Sequence, residues 1–270
     1  MNHQGVFAWM TTGAKGRGWH DFLTRLVFFA SLLLLWEGVV RLAIWPTYLF
    51  PGPVDVWGAI RQGIADGTLI RGIAISLRRF VIGFGLSLLI GVSLGLLIGS
   101  LRVVRETVGV LLVGLQSLPN IAWLPMGLLW FGLNDRAILF VIVMGVVNSV
   151  AMATSDGIRN VPPLYRRAAR TMGANGPTLY LRVVLPAALP SIMTGVKLGW
   201  TFGWHALIAG EMLFVSLGLG HLLIMGRELA DMAQVMAIMF VIVVIGLLME
   251  RLVFSEIEHR IGRRWGLDHR

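Results

Sequence analysis

The chain has no cysteine, so disulfides and thiolate metal sites are excluded. Charge is scarce as well: 14% of residues are Asp, Glu, Lys or Arg, against about 25% in a typical soluble domain. Lysine occurs only twice, as Lys15 and Lys197, and neither follows a glycine. A P-loop needs Gly-Lys-Ser/Thr to cradle phosphates, so this polypeptide has no such ATP site. Carboxylates are too few for intramembrane catalysis. Only Glu37 and Glu211 fall in or near apolar runs, and no His/Asp/Glu set has metal-ligand spacing.

What is abundant is apolar surface: 56% of the 270 residues are hydrophobic and the mean hydropathy is +0.78. Several continuous runs approach the roughly 20 residues that cross a bilayer core as a helix. A β-barrel would show short alternating segments instead. The fold class expected is therefore an all-α membrane protein of about six transmembrane helices, at residues 22–44, 80–101, 108–131, 137–153, 191–215 and 232–254. Pro119 and Pro125 interrupt the third. Residues 1–21 are polar and Gly-rich, and the first apolar run is too long for a signal peptide, so it reads as a retained span. Residues 255–270 form a basic tail. The permeation domain is thus 22–254.

Net charge is +9. Such a charge can mark a nucleic-acid partner, but topology accounts for it better. With both termini inside, the inner segments carry fifteen basic residues and the outer ones seven. Lys and Arg collect in cytoplasmic loops, so cytoplasmic termini are expected and no nucleic acid is. Small residues recur every four positions in the second span (Gly83, Ser87, Gly91, Gly95, Gly99) and in the fifth (Gly195, Gly199, Gly203). That spacing places them on one helix face, where helices pack closely or slide.

Between the fourth and fifth spans stands "RRAARTMGANGPTLYLRVVLPAALP", residues 166–190, with four arginines and no acid. After "NVPP", Leu164, Ala168 and Met172 recur at intervals of four with Ala169 beside them, and Arg166, Arg167 and Arg170 lie opposite. The pattern predicts a short amphipathic helix begun by proline and ended by Gly173. Residues 178–184 can form a second helical stretch, and Pro186 and Pro190 punctuate the approach to the fifth span. Such a pair either docks into a groove on another protein or rests on anionic head groups.

The order of residues resembles a known pattern. Ala168-Ala169, three residues, Gly173, nine residues, Val183, one residue and Leu185-Pro186 is similar to the EAA loop of ABC importer permeases, without a gap. The resemblance extends through "LFPGPVDVWGAI", "SLRRFVIGFGLSLLIGVSLGLLIGS", "LPNIAWLPMGLLWFGLNDRAILFVI" and "LPSIMTGVKLGWTFGWHALIAGEML". Over about residues 49–254 the chain looks like the nitrate/sulfonate/taurine/bicarbonate branch. The resemblance implies a type I importer permease in a bacterial inner membrane, with coupling helices between spans 4 and 5. It also implies a homodimer or a pair with a similar permease, two cytosolic ATPase subunits, and a periplasmic or lipid-anchored solute-binding protein. ATP and Mg would sit on the ATPase, with no cofactor on this chain. Arg167, Ala168, Ala169, Gly173 and Leu185, with neighbours Arg166, Arg170, Met172, Ala174 and Pro186, would form the docking loop. One position departs: the motif's glutamate is Arg167 here, so any salt bridge made from that glutamate is absent or reversed.

Polar residues at membrane depth complete the expectations. Lys197, Trp204 and Glu211 are seven apart on one face, with Thr201 between. They either line a pathway or, for Lys197, snorkel near the inner end, with Glu211 near the outer surface. Trp200 and His205 are weaker candidates, since aromatics anchor helices and a lone histidine often packs. Asn120 and Trp123 lie in the Pro119–Pro125 break. Asn148 and Ser149 line a path or bond across helices. A lysine among so many arginines suits a small oxyanion. A stand-alone channel or secondary transporter is the alternative, with no use for a docking loop.

Overall fold

The computed structural model describes residues 18–213, 216–258 and 260; the side chains of 18–22 and 25 lie outside it. Most of the 1–21 segment and of the basic tail therefore fall outside the described residues, with the charges of Lys15, Arg17, Arg25, Arg263, Arg264 and Arg270. Among the described residues there are helices and turns and no strand.

A 24-residue helix, α1 (Gly18–Arg41), leads into the turn-rich stretch and then α2 (Pro53–Ala65). Pro53 stands in the first turn of α2, where its missing N–H costs nothing. Gly52 N–H donates to Asp55 Oδ2 at 3.0 Å, closing that helix's start. The next helix, α3 (Thr68–Ser100), starts twelve residues earlier than the apolar run alone indicates, because Thr68 and the amphipathic stretch after it continue the same helix. Four helices are long and apolar enough to cross a membrane among the described residues, or five if one bent pair is a single span.

That bent pair corrects the expected third span. The chain forms α4 (Arg102–Val104), a π turn (Arg105–Gly109) and α5 (Val110–Leu115), then turns through 102° into a 3-10 turn (Asn120–Trp123) and α6 (Leu124–Phe131). Pro119 makes the break. Pro125 does not: it sits in the first turn of α6 and starts a helix. The fourth span, α7 (Asp135–Arg159), is capped by Asn134, whose side chain accepts from Arg136 N–H at 2.8 Å, and it runs six residues beyond the expected end.

The fifth span also differs. After α8 (Pro163–Thr171), the helix α9 (Gly176–Leu179) passes through a π turn (Tyr180–Val184) into α10 (Leu185–Met212), one helical path of 37 residues. Pro186 falls in the first turn of α10 and Pro190 inside it, so the prolines ride within the helix instead of ending it. Then come α11 (Leu219–Glu228) and α12 (Met232–Met249), which continues through a π turn (Glu250–Phe254).

Three helices carry the packing. The small-residue stripe of α3 faces α7 in parallel register: a Cβ on Gly83 would lie 3.0 Å from Ile142, on Gly91 2.9 Å from Val150, on Gly95 2.4 Å from Thr154 and on Gly99 3.0 Å from Ile158. On α10 the stripe meets the same α7 antiparallel, with a Cβ on Gly195 reaching 2.3 Å from Ala153 and on Gly203 2.6 Å from Val146. At Gly91, Gly95, Gly195 and Gly203 a Cβ would come closer than real Cβ atoms do, and at Gly83 and Gly99 it would crowd its neighbour, so glycine is what lets α7 sit between both neighbours. Ser87 is buried and donates its hydroxyl to Gly83 O at 2.6 Å, which adds no bulk at the seam. Because α3 and α7 are parallel, the bent α4–α6 segment returns the chain. Two ends of the bundle result: one carries α8 and α9, the other Arg79 and Asp135.

Candidate functional site

The α8–α9 segment has the geometry its spacing implies. Gly173 takes φ +86°, a left-handed conformation that an L side chain resists. Gly173 N–H donates to Arg170 O at 3.0 Å and Ala174 N–H to Ala169 O at 2.9 Å. These two bonds are the Schellman closure of a helix C-terminus. They fix Ala169 four residues before Gly173, which gives the Ala-x-x-x-Gly spacing a physical reason. Nothing lies within 4 Å of a Cβ on Gly173, so conformation and not space demands glycine.

Beneath the turn a separate apolar cluster forms from Ile158, Val161, Ala169, Leu179, Val184, Ala188 and Ile192. Arg166 donates to Ile158 O, tying α8 back to the end of α7. The outward side is mixed. Leu164, Tyr165 and Met172 are exposed, Met172 at 87%, and Ala168, Arg167 and Arg170 stand exposed among them. Leu185 and Pro186 are half-buried at the foot of α10. The segment is therefore a braced ledge with an uncovered amphipathic face.

At the bend between α5 and α6 lies a cavity of about 660 Å³. Of the residues expected on a path, Asn120, Trp123, Asn148 and Ser149 line it, joined by Gln116, Ser117 and Phe202, and the rest of the wall is largely aliphatic. No charged side chain lines it. Asn120 packs over α7 where Gly145 leaves room, a Cβ there lying 3.3 Å from Asn120 Cγ. Asn148 Nδ2 donates to Leu112 O at 3.2 Å, so it joins α7 to α5, while its Oδ1 is buried without a partner. Phe202, Gln116 and Ser117 escaped sequence reasoning. For Phe202, the signal was its place one residue after Thr201 on a face the glycine stripe leaves open.

The Lys197–Trp204–Glu211 face is drawn apart. Lys197 Nζ pairs with Glu250 at 2.6 Å and Glu258 at 3.3 Å, binding α10 to the last helical stretch. Trp200 and Trp204 are buried and stack at 5.9 Å, enclosed by Phe80 and, at Trp200, by Phe84 and Phe254. Thr201 and His205 are exposed and share a face of α10 with Phe202. Lys197, Trp200, Thr201, Trp204, His205 and Glu211 are not on the cavity wall.

Glu211 belongs to a buried network instead. It is fully buried and its carboxylate accepts from Arg79 Nη1 at 2.9 Å, Ser76 Oγ at 2.7 Å and Gly220 N–H at 3.1 Å. Arg79 also donates from Nε and Nη2 to Asp135 Oδ1 at 3.0 and 2.7 Å, from Nη2 to Ser216 Oγ at 2.9 Å and from Nη1 to Leu217 O at 3.1 Å. All five guanidinium N–H groups are used, the condition under which a buried charge is tolerated. Gly218 gives the carboxylate room, since a Cβ there would come within 2.5 Å of it. The network joins α3, α7, α10 and α11.

Comparison with known proteins agrees with this architecture. A family model described as "Binding-protein-dependent transport system inner membrane component" matches residues 87–255. A putative ABC transporter permease of Methanocaldococcus jannaschii is 38% identical over 70% of this chain and 72% of its own length. The taurine transport system permease protein of Escherichia coli is 30% identical over 82% of each chain. The nitrate import permease protein of Leptolyngbya laminosa is 30% identical over 70% of this chain and 67% of its own. Among solved structures, an inward-facing MetNI methionine ABC transporter chain superposes with a TM-score of 0.61 at 19% identity, covering 72% of this chain and 96% of that one. At that identity the likeness concerns the fold. The chain belongs to the binding-protein-dependent transport system inner membrane components, the permease subunits of ABC importers.

Proposed function

We propose that two copies of this chain, or this chain and a similar permease, form the inner-membrane path of an importer for a small anion or organic oxyanion. Relatives named for taurine, aliphatic sulfonate and nitrate transport support the substrate class. The solute arrives on a binding protein at the Arg79–Asp135 end. ATP and Mg are bound by two separate ATPase subunits, which dock on α8 and α9. Both termini then lie in the cytoplasm, on the side of the docking ledge. Closure of the ATPases moves the ledge, and the continuous α9–α10 helix carries that motion to membrane depth.

The observation that carries this reading is the braced ledge with its uncovered face, a structure without purpose in a transporter that works alone. The cavity suits the substrate class in a particular way. Its wall offers the amides of Asn120 and Gln116 and the hydroxyl of Ser149, while Asn148 and Ser117 already donate to Leu112 O and Gly114 O, and Lys197 is held by carboxylates away from it. An oxyanion would be met by neutral donors, beside aliphatic surface that fits an organic body. The test is uptake by proteoliposomes holding the permease, its ATPase and its binding protein. Solute accumulation that needs ATP is expected, and accumulation without the ATPase would defeat the reading.

A further inference from the structure

Helix α10 carries three side chains that can bear charge, Lys197, His205 and Glu211. Two are spent within the chain: Lys197 on Glu250 and Glu258, and Glu211 on Arg79, Ser76 and Gly220. His205 is exposed and has no hydrogen bond or ion pair among the described residues. It stands near mid-span. Along the antiparallel α7, Gly203 lies against Val146 and Gly210 against Ile138, which puts His205 close to the centre of that 25-residue helix.

The neighbours of His205 decide what its face meets. Helical period puts Leu198, Thr201, Phe202 and His205 on one side of α10, and all four are exposed. Phe202 is also on the cavity wall, whose α7 side runs from Val143 to Ser149. His205, one turn on from Phe202, therefore stands at the cavity's rim nearer the Arg79–Asp135 end. Exposed faces elsewhere differ. On α12 the exposed residues from 239 to 248 are Met239, Phe240, Val243, Leu247 and Leu248, none of them polar. The exposed hydroxyls of Ser93, Thr194 and Thr201 turn back onto carbonyls of their own helices. His205 has no such bond, and ionisable side chains at such depth face a bundle interior or a water-filled cavity.

An oxyanion entering the cavity sheds water and needs hydrogen-bond donors in return. The wall itself holds no charged side chain. Given an importer of oxyanions, the reading on which this inference rests, we propose that His205 is the selecting donor of the path. Its imidazole N–H meets the solute's anionic oxygen at the outer rim of the cavity. An imidazole offers an N–H whether neutral or charged, so the contact needs no fixed cation. In a pair of copies, each supplies one such donor. Sulfonate or nitrate oxygens accept this bond, whereas a cationic or wholly apolar solute leaves it unmade.

The chain has no cysteine, so a single introduced thiol reports cleanly. His205→Cys is compared with Val243→Cys, at an exposed mid-span position of α12. Each is placed in proteoliposomes with the ATPase and the binding protein and treated with a water-soluble, sulfonate-bearing methanethiosulfonate. Labelling at residue 205 at least tenfold faster than at 243 is expected. Equal rates would turn His205 toward lipid and overturn the proposal. Uptake of taurine, ethanesulfonate and nitrate gives the second readout. For whichever of these the wild type carries, His205→Leu should lower the solute moved per ATP at least tenfold. The melting temperature and the half-saturating concentration, which the binding protein sets, should not change. His205→Gln keeps an N–H donor and should retain most of the transport. Wild-type transport by His205→Leu would overturn the proposal, as would equal loss in both variants with a lowered melting temperature, the mark of a packing role. If the wild type accumulates none of the three solutes with ATP, the oxyanion reading fails and the donor role with it, a result distinct from either labelling outcome.

Discussion

The two ends of the bundle treat arginine in opposite ways. Arg79 is 4% exposed, and every one of its N–H groups is satisfied by this chain. Arg167 and Arg170 are exposed and make no ion pair among the described residues. The difference separates two uses of one residue type. Inside, arginine is a cross-link whose desolvation is offset by acceptors from α7, α10 and the segment of Ser216 and Leu217. On the ledge, it stands exposed to its surroundings. Continuous helix from Gly176 to Met212 joins the two, carrying the open end and the closed end on one rod.

Breaking the closed end gives the largest effect. Arg79→Ala would leave Glu211 buried without its cation, a loss of about 3–5 kcal/mol. The expected outcome is a permease that no longer elutes as a single folded species in detergent, checked by size exclusion and thermal melting. Retention of the wild-type melting temperature would show that water replaces the guanidinium and that the network is dispensable.

The open end predicts a milder and different change. Gly173→Ala forces a side chain into the left-handed region at about 1–2 kcal/mol, at a site where nothing crowds the added carbon. The bundle should melt within a few degrees of wild type while ATPase stimulation by the loaded binding protein falls severalfold. Equal loss in both measurements would mean that the turn supports the fold as a whole.

Lys197→Met sharpens the contrast most finely. Its ion pairs are part-exposed, so stability should change by no more than about 1 kcal/mol. Transport should persist, because the cavity wall does not include Lys197. Abolished uptake with normal ATPase docking would place Lys197 back on the path.

The ledge was legible from the chain because its logic is local. A proline-started helix, four residues from Ala169 to Gly173 and the left-handed turn all lie within a dozen residues. The glycine stripes were legible too, since four-residue spacing shows a helix face directly. Neither the Lys197–Trp204–Glu211 face nor its role could be read that way. Seven-residue spacing puts side chains on one face but does not say what that face meets. Glu211 met Arg79, 132 positions away, and Lys197 met Glu250 and Glu258. The third span failed for a related reason: apolar runs specify that a segment avoids water, not whether it turns by 102°.

By itself the sequence determined the apolar helical character, the close-packing faces and the turn at Gly173, because hydropathy, period and backbone conformation act over a few residues. Only the tertiary structure decided which polar groups reach the cavity and which neutralise one another. A buried charge takes whatever partner the packed helices bring within about 3 Å, and that is a property of three-dimensional packing that no local pattern encodes.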